Sequence, residues 1–179
     1  MARHLLRGMA AGLLAGAAAS WAMNQFQAMR PTRQCKGTRE FSGGESSARD
    51  RPSSQKHEGG DDENATVKTA VAISRNLFQH ELTDREKQIA GPLVHYGFGA
   101  LVGALYGGLA ELLPFARAGL GLPFGFALWL LGDEIAVPAL GLAERPTEYP
   151  PEVHADALAA HFMYGITTDV LRRVLRHVL

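Results

Sequence analysis

Leu128-Trp-Leu-Leu-Gly-Asp-Glu-Ile-Ala-Val-Pro-Ala-Leu-Gly-Leu142 is apolar enough to lie in a bilayer, yet it carries two adjacent carboxylates, Asp133 and Glu134. A charged side chain at the centre of a membrane span costs about 3 kcal/mol even on lenient insertion scales. An acid in such a run is therefore a functional-site candidate by default.

Outward from this stretch the chain has two phases. The mean hydropathy of the 179 residues is near zero, −0.06. That average joins a strongly polar part, from about 30 to 87, to long runs of Ala, Gly, Leu, Val and Phe. Four apolar segments result, at about 5–29, 91–115, 119–142 and 151–172. Each is close to the ~20 residues that span a hydrocarbon core of ~30 Å. Ala, Leu and Gly dominate and period-two alternation is absent, which excludes strands. In lipid the backbone must satisfy its own hydrogen bonds, so these segments are expected to be helices. The expected fold is all-α: a four-helix transmembrane bundle with glycine-zipper packing, in a single membrane domain over 1–179. A disordered polar insert and a short amphipathic helix are expected between helices 1 and 2.

The insert, about 30–64, is rich in Gly, Ser, Arg and Glu, a composition that buries too little to order itself. After it, Asp61-Asp62-Glu63-Asn64 places acids and a cap before Val67, Ala70, Val71, Leu77 and Phe78, the spacing of an amphipathic helix. Asn64-Ala65-Thr66 also matches a glycosylation acceptor, a weak motif here read as the cap. Thr83-Asp84-Arg85-Glu86 is a capping-box pattern, predicting a second short helix that leads into the second segment. The amphipathic and juxtamembrane helices together occupy about 65–90.

Segment one also fits a secretory signal peptide, with Arg3, Arg7 and small residues at Ala17–Ser20. Against that stands an unbroken i, i+4 column of Gly8, Gly12, Gly16 and Ser20, which a packed helix uses and a cleaved peptide does not. Segment two repeats the column with Gly99, Gly103 and Gly107, segment three offers Gly121 and Gly125, and segment four Ala157, His161 and Gly165. Small residues at this spacing let helix backbones approach closely. They serve equally within one chain or between copies, so a homo-oligomer is among the expected assemblies, with the lipid bilayer as the general partner.

Basic residues in the short flanks set the expected orientation. Arg3 and Arg7 precede segment one, Arg117 separates two from three, and Arg172, Arg173 and Arg176 close segment four; Arg145 alone occupies the other short loop. Both termini are thus expected in the cytoplasm and the insert outside.

Alternating the helices sorts the ionisable groups by depth. His95, Asp133, Glu134, His154 and His161 fall in the outer half as an intramembrane polar cluster. Arg7, Glu111, Asp169, Arg172 and Arg173 fall at the inner boundary, where acids and arginines snorkel and pair. Asp133 and Glu134 are adjacent and project about 100° apart, so both are not expected to face one neighbour. One is expected to reach His161 or His95 and the other a backbone group or water. Pro138 is a helix break: it has no N–H for the carbonyl of Glu134, four residues back. Broken helices are tolerated at membrane depth where they line a polar site.

No chemistry of bond making is indicated. There is no Gly-x-Ser-x-Gly, no phosphate loop, and Cys35 is the single cysteine, which excludes an internal disulfide and a multi-cysteine metal site. No two intramembrane histidines sit at i, i+4, so no metal site is expected; nor is any cofactor or catalytic residue. Lys plus Arg equals Asp plus Glu, at 18 each, so nothing points to nucleic acid.

The run Gly8-Met-Ala-Ala-Gly-Leu-Leu-Ala-Gly-Ala-Ala-Ala-Ser20, His95 with Ala110-Glu111-Leu-Leu-Pro114, Pro138-Ala-Leu-Gly-Leu142, and Ala160-His161 with Leu171-Arg172-Arg173 together resemble the YagU-like family. That family consists of bacterial inner-membrane proteins grouped under a domain of unknown function. The resemblance runs through the four apolar segments and fails across the insert. It implies a multi-pass protein of the bacterial inner (cytoplasmic) membrane with an uncleaved first span. It implies no activity, and the acid pair is not part of it. The residues themselves favour a small proton- or cation-responsive carrier or channel, because histidine titrates near neutral pH. The rival is a structural or assembly module in which the cluster only fixes helix packing.

Overall fold

In the computed structural model, residues 2–29, 65–75 and 79–178 are described. The insert, Cys35, the acids and cap at 61–64, and Leu77 and Phe78 lie outside the described residues. Among the described residues the chain is helical and contains no strand. Six α-helices follow in order: α1 Ala2–Met29, α2 Ala65–Ile73, α3 Asp84–Leu112, α4 Leu122–Leu128, α5 Val137–Ala139 and α6 Pro151–Val178. A π-helical segment, Trp129–Ala136, joins α4 to α5 without a gap, so Leu122–Ala139 is one continuous helical run. Among the described residues three stretches are long and apolar enough to cross a membrane: Ala2–Met29, Asp84–Leu112 and Phe115–Ala139. α6 equals α1 in length but is not among these three.

α1 packs between α3 and α6, the run Leu122–Ala139 lies against α6, and α2 rests on α3. The interior is made of small residues. Ala11, Ala15, Ala19, Ala104, Ala110, Ala157 and Ala160 are buried, while Leu13, Trp21, Phe98, Leu101, Leu105, Phe126, Leu131 and Ile135 stand exposed. That is the reverse of a water-soluble core and matches helices solvated by hydrocarbon, where small residues make the helix contacts. A Cβ added at Gly12 would meet the Gly103 carbonyl, one at Gly16 the Gly99 carbonyl, and one at Gly107 the Gly8 carbonyl. α1 and α3 therefore touch backbone to backbone, antiparallel, along both columns, and Ser20 closes the row against Gly99. Gly121, Gly125 and Gly165 make the corresponding approach between the third run and α6.

Two boundaries differ from the expectation. The capping box opens no separate short helix. It starts α3 itself, with Thr83 and Glu86 bonding each other's backbone N–H groups, and the helix runs unbroken to Leu112 through Pro92. Thr83→Ala should therefore cost about 1 kcal/mol, read as earlier thermal unfolding in detergent. The second difference lies between segments two and three. Pro114–Gly121 forms a 3-10 turn in which Gly119, Leu120 and Gly121 all take positive φ, and helix resumes only at Leu122. A side chain at Gly121 would strike the Gly165 carbonyl, so the turn seats directly on α6.

Candidate functional site

Both carboxylates of the acid pair meet α6. Glu134 Oε1 lies 2.6 Å from His154 Nδ1, and Asp133 Oδ2 lies 3.4 Å from His161 Nδ1. The sequence sends one acid to His161 or His95 and the other to a backbone group or water; Asp133 does lie beside His161, while Glu134 meets His154 on the same helix. The π-helical segment explains the difference. In an α-helix the eight residues from Gly125 to Asp133 overshoot two turns by about 80°. The slower winding of Trp129–Ala136 removes most of that excess, so Asp133 stays on the face that Gly125 presses against α6. Glu134, one residue on, reaches the histidine two turns nearer the start of α6. π-Helical turns of this kind recur at functional sites.

Pro138 also acts differently from the expectation. The Val137 N–H donates to the Gly132 carbonyl, five residues back. Continued by one residue, that register would send the donor Pro138 lacks to the carbonyl of Asp133, not Glu134.

The two His–acid pairs differ in completeness. His154 Nδ1 faces Glu134 and its Nε2 lies 2.9 Å from the Pro146 carbonyl, so the ring ties the third run, the loop after it and α6 together. Both ring nitrogens are used. His161 instead commits Nδ1–H to the Ala157 carbonyl at 2.9 Å. Its contact with Asp133 is therefore not a hydrogen bond, and Asp133 Oδ2 is buried with no hydrogen-bond partner. His95, on α3, faces the Ser20 carbonyl and lies within electrostatic reach of His161. Its Nε2 is buried and unpartnered. The Trp129 indole N–H, one turn before Asp133, is likewise buried without a partner. Unmade hydrogen bonds are costly in a low-dielectric interior, and these three atoms belong to α3 and the third run.

Glu111, Asp169, Arg172 and Arg173 of the boundary charges pair in one network, buried at Asp169 and Arg172 and open at Arg173. Asp169 is fully buried and Arg172 is 2% exposed. Asp169 accepts from Arg172 at 3.1 Å and from Arg173 at 2.7 Å. Glu111 takes Arg176 at 2.9 Å, with Arg172 at 3.8 Å. The network extends further than the sequence suggested. Arg176 also donates to His4 at 3.0 Å, Arg173 to the Arg117 carbonyl, and Arg117 to the Ala110 carbonyl. The Tyr106 ring lies 5.7 Å below Arg172. Arg7 stays exposed. The His4–Arg176 contact puts the start of α1 and the end of α6 at one end of the molecule.

Tyr106, Trp129, Tyr164 and Thr168 escaped the sequence reading. Tyr164 donates to the Gly99 carbonyl at 2.6 Å, through the space that Gly16 leaves beside its hydroxyl. Aromatic residues in apolar helices carry no distinguishing signal, although Tyr164 falls three residues after His161 on the same face.

Among the described residues no group of three or more His, Cys, Asp or Glu could hold a metal ion. Among the described residues the molecule is thus all-helical, with three membrane-length apolar helices, consistent with a membrane protein, and with two polar centres along α6. Residues 63–170 match the family model described as protein of unknown function (DUF1440), and the chain belongs to that family. The match contains His95, Asp133, Glu134, His154, His161 and Asp169; α1 and the arginines of the last turns lie beyond it. Neither the curated proteins nor the solved structures gave a match.

Proposed function

We propose that the chain is a four-span, glycine-zippered protein of a bacterial inner membrane, similar to the YagU-like proteins, with both termini cytoplasmic and α2 as an amphipathic helix on its outer side. α6 serves as the fourth span: it lies along α1 and the third run, and its Asp169, Arg172 and Arg176 are held in ion pairs. We propose further that it works as a small proton- or cation-responsive carrier or channel, centred on Asp133, His161 and His95, with no bond-making chemistry. The observation that carries this reading is Asp133 Oδ2, buried beside His161 yet without a hydrogen bond. A polar cluster that serves only as a staple should satisfy its members.

The alternative, a structural or assembly module, draws on Glu134 and His154, a pair whose partners are complete. Both roles fit in one molecule, with Glu134–His154 as the clamp and Asp133 as the working group. In liposomes with an imposed pH or cation gradient, the wild-type protein should carry flux above the empty-vesicle leak. Asp133→Asn should lower that flux at least about tenfold, a change of ~1.4 kcal/mol in barrier. Wild-type flux equal to empty vesicles overturns the carrier or channel reading. Unchanged flux in a destabilised Asp133→Asn protein supports the structural one.

A further inference from the structure

The arginine network at the end of α6 carries more positive charge than its acids balance. Arg172, Arg173 and Arg176 occupy Asp169 and Glu111. Arg117 joins them through backbone carbonyls: its Nε donates to Ala110 at 2.7 Å, and its own carbonyl accepts from Arg173 at 2.6 Å. The connected guanidinium groups thus outnumber the carboxylates by two. The start of α1 adds to this surplus. His4 meets Arg176 at 3.0 Å, and a Cβ at Gly8 would meet the Glu111 side chain, so Arg3 and Arg7 belong to the same end. Among the described residues no acid stands within ion-pair distance of Arg3, Arg7 or Arg117, and all three are exposed, as is Arg173. Exposed apolar side chains accompany them: Leu6 on α1, Leu112 at the end of α3, and Phe115 and Leu120 in the turn that carries Arg117. The start of α6 has the opposite sign. There, over 140–152, Glu144, Glu148 and Glu152 stand exposed with the single Arg145.

We propose that this end binds the headgroup of an anionic phospholipid from the adjoining leaflet, with the phosphate on Arg117 and Arg173 and with Arg3 and Arg7 adding charge from α1. The inference rests on the membrane-spanning reading of the helices and is independent of the carrier reading. Guanidinium groups match phosphate oxygens in a fork of parallel hydrogen bonds. The surplus also selects the net charge of the lipid. A zwitterionic headgroup brings its own cation, whereas an anionic one leaves its phosphate to balance the arginines. Basic residues at a membrane boundary each strengthen attraction to an anionic surface about fivefold. The apolar neighbours identify the source of the phosphate as a lipid. Phe115 and Leu120 flank Arg117 within one turn, so the same turn offers a cation to a headgroup and hydrocarbon to its chains.

Phosphatidylglycerol and phosphatidylcholine with the same chains differ in headgroup charge, so the pair isolates the property at issue. Native mass spectrometry of the full chain in a neutral detergent, titrated with each lipid, reads how much is retained. Phosphatidylglycerol should be retained at a concentration at least about tenfold lower than phosphatidylcholine. Arg7→Gln with Arg117→Gln should raise that concentration at least about tenfold, because two basic residues are lost. Arg173→Gln alone, should the double variant fail to fold, should raise it about fivefold. Arg85→Gln with Arg145→Gln removes the same charge from the opposite end and should leave the preference intact. Equal retention of the two lipids, or an equal loss in the Arg85 and Arg145 variant, overturns the inference and leaves the spanning reading standing. Displacement of bound phosphatidylglycerol by inorganic phosphate at matched concentration also overturns it, since the site would then serve a free anion. A wild-type chain that stays monodisperse without detergent and retains neither lipid removes the spanning reading as well.

Discussion

Gly103→Leu is expected to separate α1 from α3 and lower stability by roughly 3 kcal/mol, the upper part of the range for overpacking a tight contact. A Cβ at position 103 already collides with the Gly12 carbonyl and crowds Gly16, and both are backbone, which has no rotamer to yield. The loss reaches beyond one contact. α1 sits between α3 and α6, and Tyr164 on α6 reaches the Gly99 carbonyl through the opening beside Gly16. Gly97, on the same helix, has nothing within 4 Å of its would-be Cβ. Gly97→Ala should be neutral or should stabilise by about 0.8 kcal/mol through helix propensity alone. Equilibrium unfolding in mixed micelles with rising denaturing detergent distinguishes the two. Equal effects at 97 and 103 would mean that the close backbone approach contributes nothing.

Asp169→Ala should cost about 3–5 kcal/mol, because it leaves a buried arginine without its main counter-charge. Asp169 is fully buried, and once it is gone Arg172 has as counter-charge only Glu111, at 3.8 Å. Pairing Asp169→Leu with Arg172→Met should recover most of the loss, since replacing both partners with apolar groups of similar size is often neutral. The same unfolding measurement applies. A single substitution as mild as the double one would show that Arg172 finds water when unpaired, and that the network is a surface feature.

Much of this architecture could be read from residue spacing. Apolar length located the long helices, and Thr83 with Glu86 announced a helix start. The four-residue columns of Gly8–Ser20 and Gly99–Gly107 named the two faces that meet, because backbone contact leaves a direct trace in which residues are small. Depth counting placed Asp133, Glu134, His154 and His161 at similar levels. What it missed has a common cause. Periodicity at 3.6 residues assumes uniform winding, and Trp129–Ala136 winds more slowly, so Asp133 beside His161 was expected while Glu134 reaching His154 on the same helix was not. Partner identity was equally hidden. Asp169 reads the same in sequence whether it snorkels or sits between Arg172 and Arg173; only tertiary packing decides. Trp129, Tyr164 and Thr168 matter through single atoms, and composition does not register those.

The π-helical segment makes the third run sensitive to length more than to identity. It holds one residue more than an α-helix needs to join the same two ends. Removing any residue between Trp129 and Ala136 would let the run relax into ordinary winding, turning one half against the other. Either Gly121 and Gly125 would leave α6, or Asp133 and Glu134 would swing off their histidines toward lipid. Several side chains in this octet can change while the wiring survives; the count of eight cannot. Within this family, gaps and insertions falling in that window would therefore separate chains that keep the polar centre from chains that share only the scaffold.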